Sequence, residues 1–316
     1  MQVSRRTFSS LLLGSAAALV PVPALARNWL STHFTGHQLV GKVFDGQGSE
    51  ASLDAIKVRA AAARYVMLGE IHPNPDHHTL QAEVLRHMIE AGRKPAVVFE
   101  MVDRSQQPVL DHFMANPPAS MAELASRLEW QSSGWPDFAM YQPLFELALQ
   151  HKLSLRAGNL DKATVRRLGG RVGAALTGTE RSALGLEEPL PEAAGTALLD
   201  VIRTSHCNML PDTVLPMMRD IQRARDFVMA DAMLNAANTD GAVLICGAGH
   251  ARLDWGAGRI VNQAAPGQLA SIAFAEAAEG LTKQDIDLAA HHFTLLTPRT
   301  DITDHCAEFA KSRNSQ

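Results

Sequence analysis

Glu70 and His72 stand two residues apart where the apolar run Tyr65, Val66, Met67, Leu68 gives way to Gly69, and His77 and His78 follow Pro73, Asn74 and Pro75. In extended backbone, residues two apart project to the same side, so this carboxylate and imidazole address one point. A second apolar run, Ala96 to Phe99, ends in Glu100, and a third, Ala242 to Cys246, ends in Gly247, Ala248, Gly249 and His250. A lone loop histidine is ordinarily a hydrogen-bonded side chain and nothing more. Four acid and imidazole groups at comparable strand ends argue instead for one pocket, because open α/β sheets place their sites at the carboxyl ends of strands. Carboxylate with imidazole suits a divalent ion held by Glu70, His72 and His250 while Glu100 activates water, or an acid/base pair without metal. His77 and His78 fall in the first turn of a predicted helix, where neighbours point about 100° apart, so one is expected to face the pocket and the other solvent.

The elements that must position these groups alternate. Helical patterns at 52–63, 80–88, 104–114, 120–128 and 141–151 separate the apolar runs, and Asp76 stands where a helix cap is expected. Leu153 to Ala157, Leu269 to Phe274 and Phe293 to Leu296 supply further strands, and Gln38 to Phe44 reads as an edge strand. This order predicts an α/β fold with a mostly parallel central sheet flanked by helices. The segment from about 162 to 237 lacks strand patterns and reads as a helical insertion or cap. Val214, Met218, Ile221, Val228 and Ala232 form its expected buried stripe, and Arg219, Arg223, Arg225 and Asp226 put charge near its middle.

Other features bound the function. Residues 1–26 carry Arg5 and Arg6 ahead of a modest apolar run, Leu11 to Val20, and then Ala24, Leu25, Ala26, the pattern of a cleaved twin-arginine export signal. The mature chain, 27–316, is expected in the periplasm with no integral membrane segment, and no cysteine follows the cleavage site to carry a lipid. Taking Arg5 and Arg6 from the 29 Lys and Arg leaves 27 against 33 Asp and Glu, a mildly acidic body that disfavours nucleic acid. Of three cysteines, Cys246 falls in a buried strand, so Cys207 and Cys306 are the pair free to bond after export. No GxSxG, GxxxxGK or CxxCH occurs, and Arg252 stands where a dinucleotide fingerprint needs its third glycine.

GEIHPNPDHHTLQ at 69–81, VVFEM at 97–101, YQP and its helix at 141–151, the Arg225–Asp226 pair, and CGAGHAR at 246–252 together resemble the ChaN family. This is the haem-binding uptake branch of the Tiki superfamily, whose wider members resemble metal-dependent peptidases and erythromycin esterases. The resemblance implies one ChaN-like α/β domain over 27–316 and an iron-related envelope protein that binds haem, with a homodimer holding haems face to face. It also implies a superfamily pocket of Glu70, His72, Glu100 and His250, with Arg225 and Asp226 reaching in from the helical region. Haem iron accepts Tyr, His, Met or Cys. Tyr65 starts a strand, which leaves Tyr141, beside Trp135, Pro136 and Phe138, as the candidate axial ligand, unless it belongs to an ordinary aromatic cluster. His77, His78, Arg225 and Asp226 are further candidate cofactor contacts, whereas Met217 and Met218 suit a core. Three functions follow: haem binding in iron uptake or handling, a metal-dependent peptidase or esterase using the Glu/His pocket, or partner binding through the helical region.

Overall fold

The computed structural model describes residues 27–116, 120–170, 175–236 and 240–314; the expected export signal, residues 1–26, lies outside them. Eight strands form one sheet: β1 (Val43–Asp45), β2 (Glu50–Ala51), β3 (Tyr65–Glu70), β4 (Ala96–Asp103), β5 (Leu155–Asn159), β6 (Ala242–Gly247), β7 (Leu269–Glu276) and β8 (Phe293–Thr297). Their order is β2-β1-β8-β7-β3-β6-β4-β5. The run from β8 to β5 is parallel throughout, but β1 pairs antiparallel with both β2 and β8. The sheet is therefore mixed, not the mostly parallel one expected. The reason is local: the turn Asp45 to Ser49 returns the chain directly as a hairpin, and no crossover helix intervenes to make those strands parallel.

Side chains alternate between two buried faces, which is why the strands read as unbroken apolar runs. Val66, Leu68, Val97, Phe99, Val243 and Ile245 pack on one face; Tyr65, Met67, Ala96, Val98, Leu244 and Cys246 pack on the other. Helices α1 (Leu53–Ala62), α2 (Pro75–Glu90), α3 (Gln107–Ala115), α4 (Met121–Arg127) and α5 (Phe138–Gln150) belong to the first layer. Between β5 and β6 come α6 (Lys162–Leu168), α7 (Gly178–Ser182), α8 (Glu192–Ser205) and α9 (Leu215–Leu234), followed after β6 by α10 (Ala248–Ala251), α11 (Ala257–Ala264) and, at the end, α12 (His305–Asn314).

The segment expected as a cap does more than cover. Its longest helix, α9, lies on β4, β5 and β6 beside α11 and makes up much of the second layer. It does so by burying Ala224, Val228, Met229, Ala230 and Met233, with Met218 only partly buried beside a smaller cluster. Cys207, after α8, is disulfide-bonded to Cys306 in α12, while Cys246 is a free, buried thiol. At the sheet's other end the Gln107 side chain lies along the outer edge of β5, its amide nitrogen donating to the Leu155 carbonyl and its oxygen accepting from the Ala157 amide. Among the described residues no helix is long and apolar enough to cross a membrane.

Candidate functional site

The strand order β3-β6-β4 decides where the chemistry meets, because it inserts a strand from residue 242 onward between two that are neighbours in sequence. Glu70 ends β3, and Gly247 ends β6 directly opposite it. Pairing of β4 with β6 stops at Phe99 and Ile245, and β4 shifts register against β5 between Phe99 and Asp103. Glu100 lies in this irregularity, beyond the end of the ladder, and not at the end of its strand as expected. Such breaks re-aim side chains; here the Glu100 carboxylate takes the Gly247 N–H at 2.6 Å in place of a backbone partner.

From these ends a continuous chain of acids and imidazoles is built. The Tyr141 hydroxyl donates to Glu70 Oε1 at 2.8 Å, and His72 Nδ1 lies 2.7 Å from the same oxygen. His72 Nε2 faces Glu100 at 3.8 Å, too far for a hydrogen bond. Glu100 accepts from Arg225 at 2.6 Å and lies 3.2 Å from His250 Nε2, whose Nδ1 meets Asp226 at 2.6 Å. Asn159, at the end of β5, holds Arg225 by its Nε at 3.0 Å. Glu70, His72, Glu100, His250, Arg225 and Asp226 are thus brought together as expected. Within this group only His72 and Arg225 reach solvent, with side chains 28% and 24% exposed.

Ring partners fix the charges. His250 lies between two carboxylates; burial alone would lower its pKa, but Glu100 and Asp226 raise it to about 9. His78 Nε2 donates to the His72 carbonyl at 2.8 Å, and its Nδ1 faces Glu70 at 3.0 Å and Gln81 Oε1 at 3.2 Å. Gln81 spends its own N–H on the Leu68 carbonyl, so both His78 nitrogens face acceptors and the ring is an imidazolium. Its pKa is raised, burial being outweighed by the Glu70 charge. Burial would also raise Glu70, yet the His78 charge and the bonds from His72 and His78 bring it down to about 2. Glu100 is held well below the usual carboxylate range, against its burial, by His250, His72 and Arg225. Asp226 is raised, because burial dominates there. Glu70, Glu100 and Asp226 face His78, His250 and Arg225, and His72 is the accessible member whose proton is exchangeable. Its affinity for that proton is raised by Glu100 and Glu70 in spite of burial.

Several expected roles change. His77 neither lines the cluster nor meets solvent: it is fully buried, accepts from the Ile71 N–H at 2.9 Å and meets Thr297 at 2.9 Å through Nε2. Receiving a proton donor on one nitrogen keeps it neutral, and burial lowers its pKa to about 3. It shapes the loop. Asn74, not Asp76, caps α2, accepting from the Asp76 amide, while the Asp76 carboxylate holds the Leu30 and Ser31 amides. Tyr141 is fully buried against Trp130 and His78, with burial and the Glu70 charge pushing its pKa up. With Tyr65 also buried, neither tyrosine presents a phenolate oxygen to a haem iron, so phenolate ligation does not fit this structure. Trp135 stands edge-on to His72, ring centroids 4.8 Å apart, instead of walling Tyr141. Nor is the expected divalent-ion set assembled. The ring nitrogens of His250 and Nδ1 of His72 are turned to carboxylates, and among the described residues no three His, Cys, Asp or Glu side chains are disposed to hold one ion. Sequence reasoning passed over Asn159 and Gln81; the strand-end position of Asn159 was the available signal.

Trp135 leads from His72 into a cleft of about 460 Å³ bordered by Met101, Asp103, Glu129, Asp161 and Lys162, at the carboxyl ends of β4 and β5. A second cleft, about 570 Å³, opens on the far side of Asp226 between α9, α11 and the loop after α7.

A family model described as haem-binding uptake, Tiki superfamily, ChaN, matches residues 57–261, which contain every member of the cluster. No curated protein matches the chain by sequence. Among solved structures, ChaN of Campylobacter jejuni, described as showing cofacial haem binding, superposes with a TM-score of 0.64 at 19% identity, covering 80% of this chain and 95% of that one. The RRSP effector domain of a Vibrio vulnificus MARTX toxin reaches 0.38 at 12% identity, over 65% of this chain and 31% of that one. An erythromycin esterase, EreC, reaches 0.41 at 12%, over 81% of each. The first of these likenesses is one of fold.

Proposed function

The chain belongs to the haem-binding uptake family ChaN of the Tiki superfamily, and from that membership we propose that it is an exported protein that binds haem during iron uptake or handling. The family match across the whole cluster carries this reading. The Cys207–Cys306 disulfide supports export, since such bonds persist in oxidising compartments and are rare in the cytosol. Because phenolate ligation does not fit, the reading assigns Tyr141 to bracing Glu70 and leaves the haem contacts to other side chains. The test is absorption spectroscopy of the mature chain purified from haem-supplied cells. A stoichiometric Soret band is expected, and a protein that neither carries nor takes up haem overturns the reading. For export, Arg5→Lys with Arg6→Lys is expected to hold the protein in the cytoplasm in cell fractionation.

One observation favours a second reading. His72 is oriented through Nδ1 by Glu70, reaches solvent, and keeps Nε2 outside hydrogen-bonding distance of Glu100. A base held this way by a carboxylate is equipped to take a proton from water attacking an ester or amide carbonyl and return it to the leaving group, with Arg225 beside the developing oxyanion. This is hydrolysis by proton transfer, without the divalent ion first expected. Chelator-insensitive ester or peptide cleavage, abolished by His72→Ala, is its expected signature; no cleavage across a panel of both substrate types ends it.

A further inference from the structure

Residues 192–222 form a helical hairpin that stands apart from the two cores of the sheet. The buried face of α8, Ala194, Leu198 and Ile202, meets Leu215 at the start of α9, and among the described residues Trp255 alone joins that small cluster from outside the insertion. From Ala224 onward α9 is embedded, with Val228, Met229, Ala230 and Met233 buried. Gln222 stands where the two halves of α9 meet. Its side-chain amide lies 3.0 Å from His250 Nδ1, and Asp226, one turn on, holds the same ring. How firmly the hairpin is held therefore bears on how His250 is held.

The tip of the hairpin is fixed by a covalent bond. Helix α8 stops in a left-handed turn, Cys207 at φ 60° and Asn208 at φ 56°, a conformation that ordinarily selects glycine. A cysteine thus stands there against the preference of the backbone. Its partner Cys306, in α12, is 99 residues away, and β6, β7 and β8 lie between them. Of the α12 side chains, His305 and Glu308 are exposed, and His305 turns its ring to Asp301 and Glu308 of its own segment. Cys306 is exposed as well and Cys207 half-buried, so the bond is open to a reductant.

We propose that the Cys207–Cys306 disulfide is a redox clamp on the α8–α9 hairpin: oxidised, it keeps the hairpin seated so that Gln222 and Asp226 fix His250, and reduced, it lets the hairpin open locally as far as Gln222 while the sheet stays folded. The reductant is a dithiol. One of its thiolates attacks the exposed Cys306 sulfur, the S–S bond breaks, and Cys207 leaves as a thiolate that takes a proton; the second thiol then displaces Cys306. The dithiol departs as a cyclic disulfide, and both cysteines end as thiols. Where the clamp closes rests on the export reading, because such a bond persists once the chain has left the reducing cytosol. The clamp itself is the same whether the cluster serves haem or hydrolysis.

The purified mature chain is compared oxidised, reduced with dithiothreitol and reoxidised, beside a Cys207→Ser, Cys306→Ser double variant, by hydrogen exchange and by the His250 imidazole NMR signal. Reduction is expected to speed exchange at least about tenfold across α8 and α9 up to Gln222, to leave β3, β4 and β6 within about twofold, and to shift the His250 signal. Reoxidation restores the first state. The double variant is expected to resemble the reduced chain and to ignore dithiothreitol, which excludes the remaining thiol, Cys246, as the source. Exchange in the hairpin that reduction does not change, that rises equally in β4 and β6, or that rises in α12 alone overturns the clamp. So does loss of the far-ultraviolet circular dichroism on reduction, because the bond would then hold the fold and not the hairpin. A wild-type chain found in the cytoplasm on fractionation overturns the export reading and leaves the clamp standing.

Discussion

Replacing Glu70 by Gln keeps the shape of the side chain and removes the charge on which two imidazoles lean. In the folded chain the His78 charge and the bonds from His72 and His78 overcome burial and bring the Glu70 pKa from 4.5 down to about 2, which corresponds to about 3 kcal/mol of stability at neutral pH. The sign follows from the depression: the contribution is full above 4.5 and disappears as pH falls through 2. At pH 3 it has dropped to less than half of that by the same linkage. Urea denaturation of wild type and Glu70→Gln, followed by far-ultraviolet circular dichroism at pH 7 and pH 3, reads the difference directly. The variant is expected to be less stable by about 3–4 kcal/mol at pH 7, in the range found when one partner of a buried pair is removed, and the gap should narrow by more than half at pH 3. A gap below about 1 kcal/mol at pH 7, or one that does not change with pH, refutes the charge assignment of the cluster.

Three further outcomes follow from the same geometry. Tyr141→Phe removes a buried donor to a carboxylate and should cost about 1.5–3 kcal/mol in denaturant midpoint experiments, while any Soret band persists. Gly247→Ala places a methyl group 3.1 Å from His72 Nε2 and 3.6 Å from Glu100 Oε2. Because the backbone there, φ −60°, accepts alanine, imidazole NMR signals should move at His72 while overall stability falls by about 1–3 kcal/mol. Thiol titration of the unfolded, unreduced mature chain should find one reactive group, Cys246, and three after reduction; reduction should lower stability by about 2–4 kcal/mol.

What the sequence disclosed is tied to periodicity. Runs such as Val97 to Phe99 and Val243 to Ile245 are buried on both faces, so they stand out as strands, and the polar residues that end them stand out as a site. Strand order leaves no such mark. That β6 slides between β3 and β4, which lets His250 reach Glu100, depends on contacts between residues about 150 apart, and only the shared chemistry of the ends hinted at it. The edge strand read over Gln38 to Phe44 is observed as the shorter β1, Val43–Asp45, but its antiparallel sense was hidden because its hairpin partner β2 is only two residues long. His77 and His78 show the finer limit. Helical spacing separated their directions, but whether a direction leads to solvent or to Thr297 depends on β8, more than 200 residues away. Tyr141 stayed open between two readings for a related reason: an aromatic neighbourhood fits a cofactor wall and a packed core equally, and its complete burial favours the core.

The Gln107 amide alongside β5 has a bearing on assembly. By occupying the Leu155 carbonyl and the Ala157 amide it takes the place of a ninth strand there and shortens the seam along which another molecule's sheet could be continued. The opposite border ends in a strand of two residues, too brief to template an extension. Both rims thus disfavour sheet-to-sheet pairing of copies, which directs interface mutagenesis first to the helical layers.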